Sequence, residues 1–228
     1  MVGVIGAMQI ETDGLIQKMS GGGIKNIGGF SFRYGRLFGK DLVVCRCGIG
    51  IAASSAAAAL MAAEFSGAEP IINIGVAGGT KPGIRQGDIV LAERVVQHDY
   101  DLTPDGLKRG QIGGFNEVGF ACSAPDCDAM EGALKSLGFT YYRGVIASGD
   151  QFINDSAKAR RIFDDFGAYA CDMESAAVGH ICALFNRRFF SMRAISDNGD
   201  HAAIGDFYSF VKSAAERSIC AIEKFITA

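Results

Sequence analysis

The sequence predicts an α/β fold: a single domain, residues 1–228, with a mixed, largely parallel sheet flanked by helices. Three observations point there. Short apolar runs alternate with helical stretches along the whole chain, with no repeat, linker or low-complexity segment. Most of these runs are apolar throughout, as strands buried on both faces should be. Several end in glycines or acids, and open α/β sheets gather ligands at the carboxyl ends of their strands.

The elements follow in order. Residues 2–5 read as a strand, 6–8 as a turn, and 10–19 as a helix with Glu11 in its first turn. The three glycines at 21–23 read as a break. Residues 30–37 alternate apolar with polar, as a half-exposed strand should. Residues 42–45 are a buried strand, followed at once by Cys47-Gly48-Ile49-Gly50-Ile51-Ala52-Ala53. This G-x-G-x-x-A invites a dinucleotide reading, but that fingerprint also needs an acid at the end of the next strand. The next strand, 70–74, ends in Gly75-Val76-Ala77-Gly78-Gly79, with no acid. These glycines either admit backbone N–H groups close to a small ligand or serve tight helix–sheet packing alone. Residues 87–96 form a long strand. Residues 98–120 show little periodicity, which marks a functional loop or an interface. His98 at its start reads as a satisfied structural histidine rather than a ligand. Residues 127–137 are a helix and 141–147 a strand, and the polar exit Ser148-Gly149-Asp150-Gln151-Phe152-Ile153-Asn154 offers Phe152 as core or as a stacking surface.

The last third carries the chemistry. Residues 169–171 read as a buried strand that exits into Asp172, Met173 and Glu174, and 175–185 are helical. Residues 189–195 form a second buried strand, capped by Ser196 and Asp197, and a final helix covers 207–226. Glu174, Asp197 and Arg193 would therefore converge on one crevice. Carboxylates are costly to bury without a partner or a task. The plainer alternative makes both acids N-caps of the helices that follow them.

Composition narrows the field. Of 228 residues, 49% are hydrophobic and 21% charged, with a net charge of −3. The basic clusters, 158–161 and 187–188, are short, so no nucleic-acid partner is expected. Seven cysteines show no zinc-like spacing and fit free thiols in a reducing compartment. Residues 1–8 lack a basic leader, and 52–63 are too short and weakly apolar to span a bilayer. The expectation is a cytoplasmic protein with no metal, cofactor or membrane contact.

Assembled, these motifs resemble the 5′-methylthioadenosine/S-adenosylhomocysteine nucleosidase family, of nucleoside phosphorylase fold. The matching stretches are Ile5-Gly6-Ala7-Met8 with Glu11, Cys47-Gly48-Ile49-Gly50, residues 72–79, His98-Asp99-Tyr100-Asp101, residues 148–154, Asp172-Met173-Glu174 and Arg193-Ala194-Ile195-Ser196-Asp197. The resemblance implies hydrolysis of the N-glycosidic bond of a 5′-substituted adenosine. It makes Asp197 the general acid on adenine N7, with Ser196 beside it, in a setting that raises its pKa. It gives Glu174 and the Met173 backbone the ribose hydroxyls, and Glu11 the attacking water, with Arg193 nearby. Phe152 would stack on the purine and the Ile153 backbone would read its edge. Met8, Phe207 and the floor of Val76, Ala77 and Gly78 would wall the pocket. A homodimer is implied, with 98–120 at the interface.

The chain departs from the family pattern at Val76, where a serine hydroxyl is usual, and at Asp105 and Gly113, where thioether-preferring members carry Phe and Pro. The preferred 5′-substituent stays open among methylthioadenosine, S-adenosylhomocysteine, aminodeoxyfutalosine and 5′-deoxyadenosine. Two other functions compete. A purine nucleoside phosphorylase would need an arginine-rich phosphate cradle, where this chain has Glu11. A non-catalytic nucleoside-binding protein would not need Glu11, Glu174 and Asp197 together.

Overall fold

The computed structural model describes residues 1–199 and 203–227. Ten strands form one mixed sheet, ordered β10-β6-β8-β9-β5-β1-β4-β3-β2, with β7 on β6. They are β1 (Val2–Gly6), β2 (Ser20–Ile27), β3 (Phe30–Leu37), β4 (Lys40–Arg46), β5 (Ile71–Gly79), β6 (Ile89–Gln97), β7 (Phe120–Ala121), β8 (Tyr141–Ser148), β9 (Ala168–Asp172) and β10 (Phe189–Asp197). Because β10 also pairs with β5, the strands β5, β10, β6, β8 and β9 close a circuit. Parallel pairing joins β1 to β4 and β5, β5 to β10, and β8 to β6 and β9.

Six helices cover the sheet: α1 (Gln9–Lys18), α2 (Ile51–Glu64), α3 (Ala124–Ser136), α4 (Ser156–Phe166), α5 (Ser175–Leu184) and α6 (Ala203–Thr227). The strand period of two explains how both faces are buried. Ile5 of β1 and Ile71 of β5 join Ala57 and Met61 of α2 and Val178 of α5 in one core. Their neighbours Val4 and Ile72 join Leu15 of α1, Leu134 of α3 and Ile222 of α6 in the other. Among the described residues no helix is long and apolar enough to cross a membrane.

Three local readings need correction. Gly21–Gly23 do not break the chain: they lie in β2, where a register shift between Ser20 and Gly23 absorbs the left-handed Gly21 and Gly22. The strand at 70–74 runs on to Gly79, because Gly78 and Gly79 pair with Cys171 and Ala170 of β9. Helix α4 was not anticipated. Its signals are Asp155, whose carboxylate accepts from the N–H of Ala157 and Lys158, and Gly167, which ends it in the left-handed conformation.

Candidate active site

A cleft with about 590 Å³ of open space, part of it continuous with solvent, lies where β5, β9 and β10 end. Four carboxylates line it, Glu11, Asp172, Glu174 and Asp197, and three of them are held by different elements.

Glu11 lies in the first turn of α1 and points inward. Its Oε2 accepts from the backbone N–H of Ala7 and Met8, both at 2.8 Å, and its Oε1 from that of Val76 at 3.1 Å. The bond from Met8 caps α1, while that from Val76 ties the helix to β5, so one side chain serves as helix cap and cleft floor. Gly75 makes the room: a Cβ there would stand 2.5 Å from Glu11 Oε1. Glu11 is 2% exposed. Burial raises its pKa against the opposing pull of Arg193 and of the three N–H donors.

Glu174 leaves the end of β9 at the residue before α5, yet gives that helix no side-chain cap. Its Oε1 instead accepts from Gly50 N–H at the start of α2, at 3.0 Å. The next donor, Ile51 N–H, is taken by Asp150 at 2.8 Å. The backbone donors that a Gly-x-Gly turn would offer a phosphate are thus occupied by two carboxylates, against the dinucleotide reading. Burial first, then the neighbouring Asp172, pushes the pKa of Glu174 up to about 7.

Asp197 ends β10 and is 2% exposed. Its Oδ1 accepts from Gly199 N–H at 2.9 Å, and Ser196 Oγ lies 2.8 Å from Oδ2. A Cβ at Gly78 would stand 2.9 Å from Oδ1, so this glycine too makes room for an acid. Glu174 does not cap the helix that follows it, while the stretch between Asp197 and α6 includes residues 200–202, which lie outside those described.

The remaining walls agree with the residues singled out from the sequence. Met8, Val76, Ala77, Gly78, Phe152, Ile153, Met173, Ser196 and Phe207 all line the cleft. Phe152, 44% exposed, stands at the rim, edge-on to Phe207 with ring centroids 5.8 Å apart. Arg193 is the exception. It is 1% exposed and is not part of the lining. It lies beneath, donating through Nε to Asp172 at 2.6 Å and through Nη2 to Asn73 Oδ1. Glu174 Oε2 is 3.7 Å from its Nη2. Burial works against its charge, but Asp172, Glu174 and Glu11 outweigh that and hold its pKa above the usual value.

Sequence reasoning missed Ala7, Ile49, Gln151, Cys171 and Asp172, which also line the cleft. Ile49 lies between the two glycines of the 47–50 turn, and Gln151, Cys171 and Asp172 adjoin named residues, so each was within reach. His98 is buried, but its Nε2 has no hydrogen-bond partner among the described residues, so it is not the satisfied histidine expected. Burial lowers its pKa. Among the described residues no three or more His, Cys, Asp or Glu are grouped to hold a metal ion.

Comparison with known proteins agrees with this geometry. The model of the phosphorylase superfamily matches residues 1–227. A curated 5′-methylthioadenosine/S-adenosylhomocysteine nucleosidase from Shewanella sp. (strain MR-7) is 35% identical, over 95% of this chain and 92% of its own. The crystal structure of the nucleosidase of that name from Neisseria meningitidis, in complex with methylthio-immucillin-A, superposes with a TM-score of 0.95 at 33% identity, covering 99% of this chain and 97% of that one. The native structure of futalosine hydrolase from Helicobacter pylori strain 26695 gives 0.93 at 28% identity, covering 99% and 97%. The chain belongs to the phosphorylase superfamily and, within it, to the 5′-methylthioadenosine/S-adenosylhomocysteine nucleosidases, which are N-glycosyl hydrolases.

Proposed function

We propose that this protein hydrolyses the N-glycosidic bond of 5′-substituted adenosines, releasing adenine and the corresponding ribose. The observation that carries the reading is Glu11: a buried carboxylate on three backbone N–H groups, at the cleft floor. A phosphorylase would need cations there to hold its anionic nucleophile, and a carboxylate repels phosphate. Water is the nucleophile that a carboxylate can serve.

The residue roles follow. Asp197 gives a proton to adenine N7 as the C1′–N9 bond breaks and its electron pair passes to the purine. The ribose becomes an oxocarbenium ion, water adds at C1′, and Glu11 takes the proton that water releases. Burial favours this step, because a raised pKa makes Glu11 a better acceptor. Ser196 orients Asp197. Glu174 and the Met173 backbone receive the ribose hydroxyls, Phe152 stacks on the purine, and the Ile153 backbone reads its edge. Met8, Phe207 and the Val76–Ala77–Gly78 floor wall the pocket. Arg193 acts from beneath the floor, by its charge.

Adenine release, assayed over a panel of 5′-substituted adenosines with and without phosphate, tests the reading. The expected result is release with no need for phosphate, metal or cofactor. Phosphate-dependent formation of a ribose 1-phosphate would overturn it. The panel includes methylthioadenosine, S-adenosylhomocysteine, aminodeoxyfutalosine and 5′-deoxyadenosine, since Asp105 and Gly113 leave the 5′ preference open.

We further read the protein as a cytoplasmic homodimer in which 98–120 crosses between subunits. That segment is mostly exposed, with a 3-10 turn at Thr103–Asp105 and, at its end, the buried Phe120 that opens β7. A fully active monomer by light scattering would remove the dimer.

A further inference from the structure

The buried volume under the cleft holds one arginine and three carboxylates: Glu11, Asp172 and Glu174. The guanidinium is not shared equally. Asp172 Oδ2 takes its Nε at 2.6 Å, Glu174 stands at 3.7 Å, and no ion pair within 4.0 Å joins it to Glu11. Asp172 is itself fixed on all sides. Its Oδ1 accepts from Ser148 Oγ at 2.5 Å and from the N–H groups of Glu174 and Ser175 at 3.3 Å, and its Oδ2 also accepts from Ser175 Oγ.

We propose that Asp172 is a positioning residue: its carboxylate holds the Arg193 guanidinium under the floor and so sets how strongly that charge is felt at Glu174 and Glu11. Two ions in a dry interior interact steeply with distance. A guanidinium anchored on Asp172 rather than on Glu174 leaves Glu174 and Glu11 under-compensated. The other groups facing them do not change this. Cys47, after β4, is kept a neutral thiol by burial. Asp150, beside Glu174 at the start of α2, and Asp197, across the cleft, are themselves acids. Asp172 therefore defines the pH range in which Glu174 carries charge, and with it the range in which a ribose is held.

The inference rests on Glu174 being the ribose acid, and the experiment keeps the two apart. Affinities for a non-hydrolysable nucleoside analogue and for free adenine are measured from pH 5 to 9. In the wild type the nucleoside affinity rises with pH and the adenine affinity does not follow it; a flat nucleoside profile would refute the ribose role itself. In Asp172→Asn the retained Oδ1 still accepts the turn N–H groups, but the amide cannot accept from Arg193 Nε. The guanidinium then serves Glu174 and the Asp172 charge no longer opposes its ionisation, so the midpoint of the nucleoside profile moves down by about one pH unit or more, a relative gain of about tenfold at the acid end. A shift in this variant without the opposite shift in the Asn73→Asp arm would assign it to the lost charge alone and overturn the positioning role. A uniform loss at every pH with an unmoved midpoint would mean a merely structural Asp172 and overturn the proposal. Asn73→Asp provides a second arm that does not depend on that variant folding. It adds a carboxylate at Arg193 Nη2, and the midpoint should move up; an unmoved midpoint there also overturns the proposal.

Discussion

Arg193 on β10 and Arg143 on β8 make a natural pair, because each has three carboxylates around it. Arg143 meets Asp128 at 2.7 Å, Glu131 at 3.0 Å and Glu93 at 3.2 Å, at the surface. Arg193 meets Asp172 at 2.6 Å, Glu174 at 3.7 Å and Glu11 through space, in the interior. The composition is the same and the electrostatic outcome opposite. Lys135 first, then Tyr141 and Arg143, pull the pKa of Glu131 down to about 2. Burial pushes that of Glu174 up to about 7 although Arg193 is close. Distances do not decide the sign; the loss of water does.

Acid therefore acts on the two clusters in opposite senses. Glu131 has a depressed folded pKa. Its contribution is present above the unfolded value, about 4.3, and is lost as the pH falls toward 2. Glu174 has a raised one. Its penalty is absent below about 4.3 and complete above about 7. The interior cluster costs stability at working pH, and it is the one beside the cleft.

The sharpest way to test this contrast is to neutralise acids of the cleft. Asp197→Asn should lower kcat by about 10²–10⁴-fold, the usual worth of a general acid, and leave analogue affinity nearly intact. Glu11→Gln should lower kcat by at least about 10²-fold for want of a proton acceptor. Wild-type kcat in either variant would reduce that acid to a structural group.

A second effect, smaller, has two faces. Glu174→Gln keeps the acceptor for Gly50 N–H and removes a charge whose burial costs on the order of 3 kcal/mol at pH 8. Nucleoside affinity should fall at least about tenfold while adenine affinity holds, and Tm at pH 8 should rise by several degrees. That gain should be nearly gone by about pH 4. A Tm lowered at both pH values would show Glu174 to be a net stabilising partner of Arg193 and would break the contrast.

Next comes the wild type alone. If Glu174 must be ionised to receive two hydroxyls, analogue affinity rises about tenfold from pH 6 to pH 8, following a midpoint near 7. Calorimetry across that range measures it. The smallest effect belongs to the surface: Arg143→Ala should leave kcat unchanged and lower Tm by about 1–2 °C, since exposed ion pairs are weak. A fall of many degrees would mean that the outer cluster does more than its exposure suggests.

What the sequence disclosed divides along a physical line. Acids at strand exits are legible, because a carboxylate after an apolar run needs a reason; Glu174 and Asp197 stood out that way. Whether Arg193 points into the crevice or beneath it is not legible. That depends on which face of the sheet Arg193 takes on β10 and on the partners waiting there, Asp172 and Asn73, which lie far apart in the chain. Asp172 was passed over because its task is to hold another side chain. Helix α4 was missed because Lys158, Arg160 and Arg161 drew attention as a basic cluster, although Asp155 and Gly167 mark its ends. The β5 glycines were read as an exit because their pairing with β9 is non-local.

That glycine-bearing strand also bears on how the enzyme can diverge. The floor under the reacting bond is partly main chain, and at Gly75 and Gly78 any side chain would collide with Glu11 or Asp197. Substitution there offers no gradual path to a new substrate, because the first step already displaces a buried acid of the cleft. Ile49 and Phe207 stand at the cleft on separate segments, and Asp105 and Gly113 lie in an outer loop. Each can change without touching an acid. On the roles proposed above, mutational drift is channelled outward, away from the acids and toward the 5′ end of the substrate.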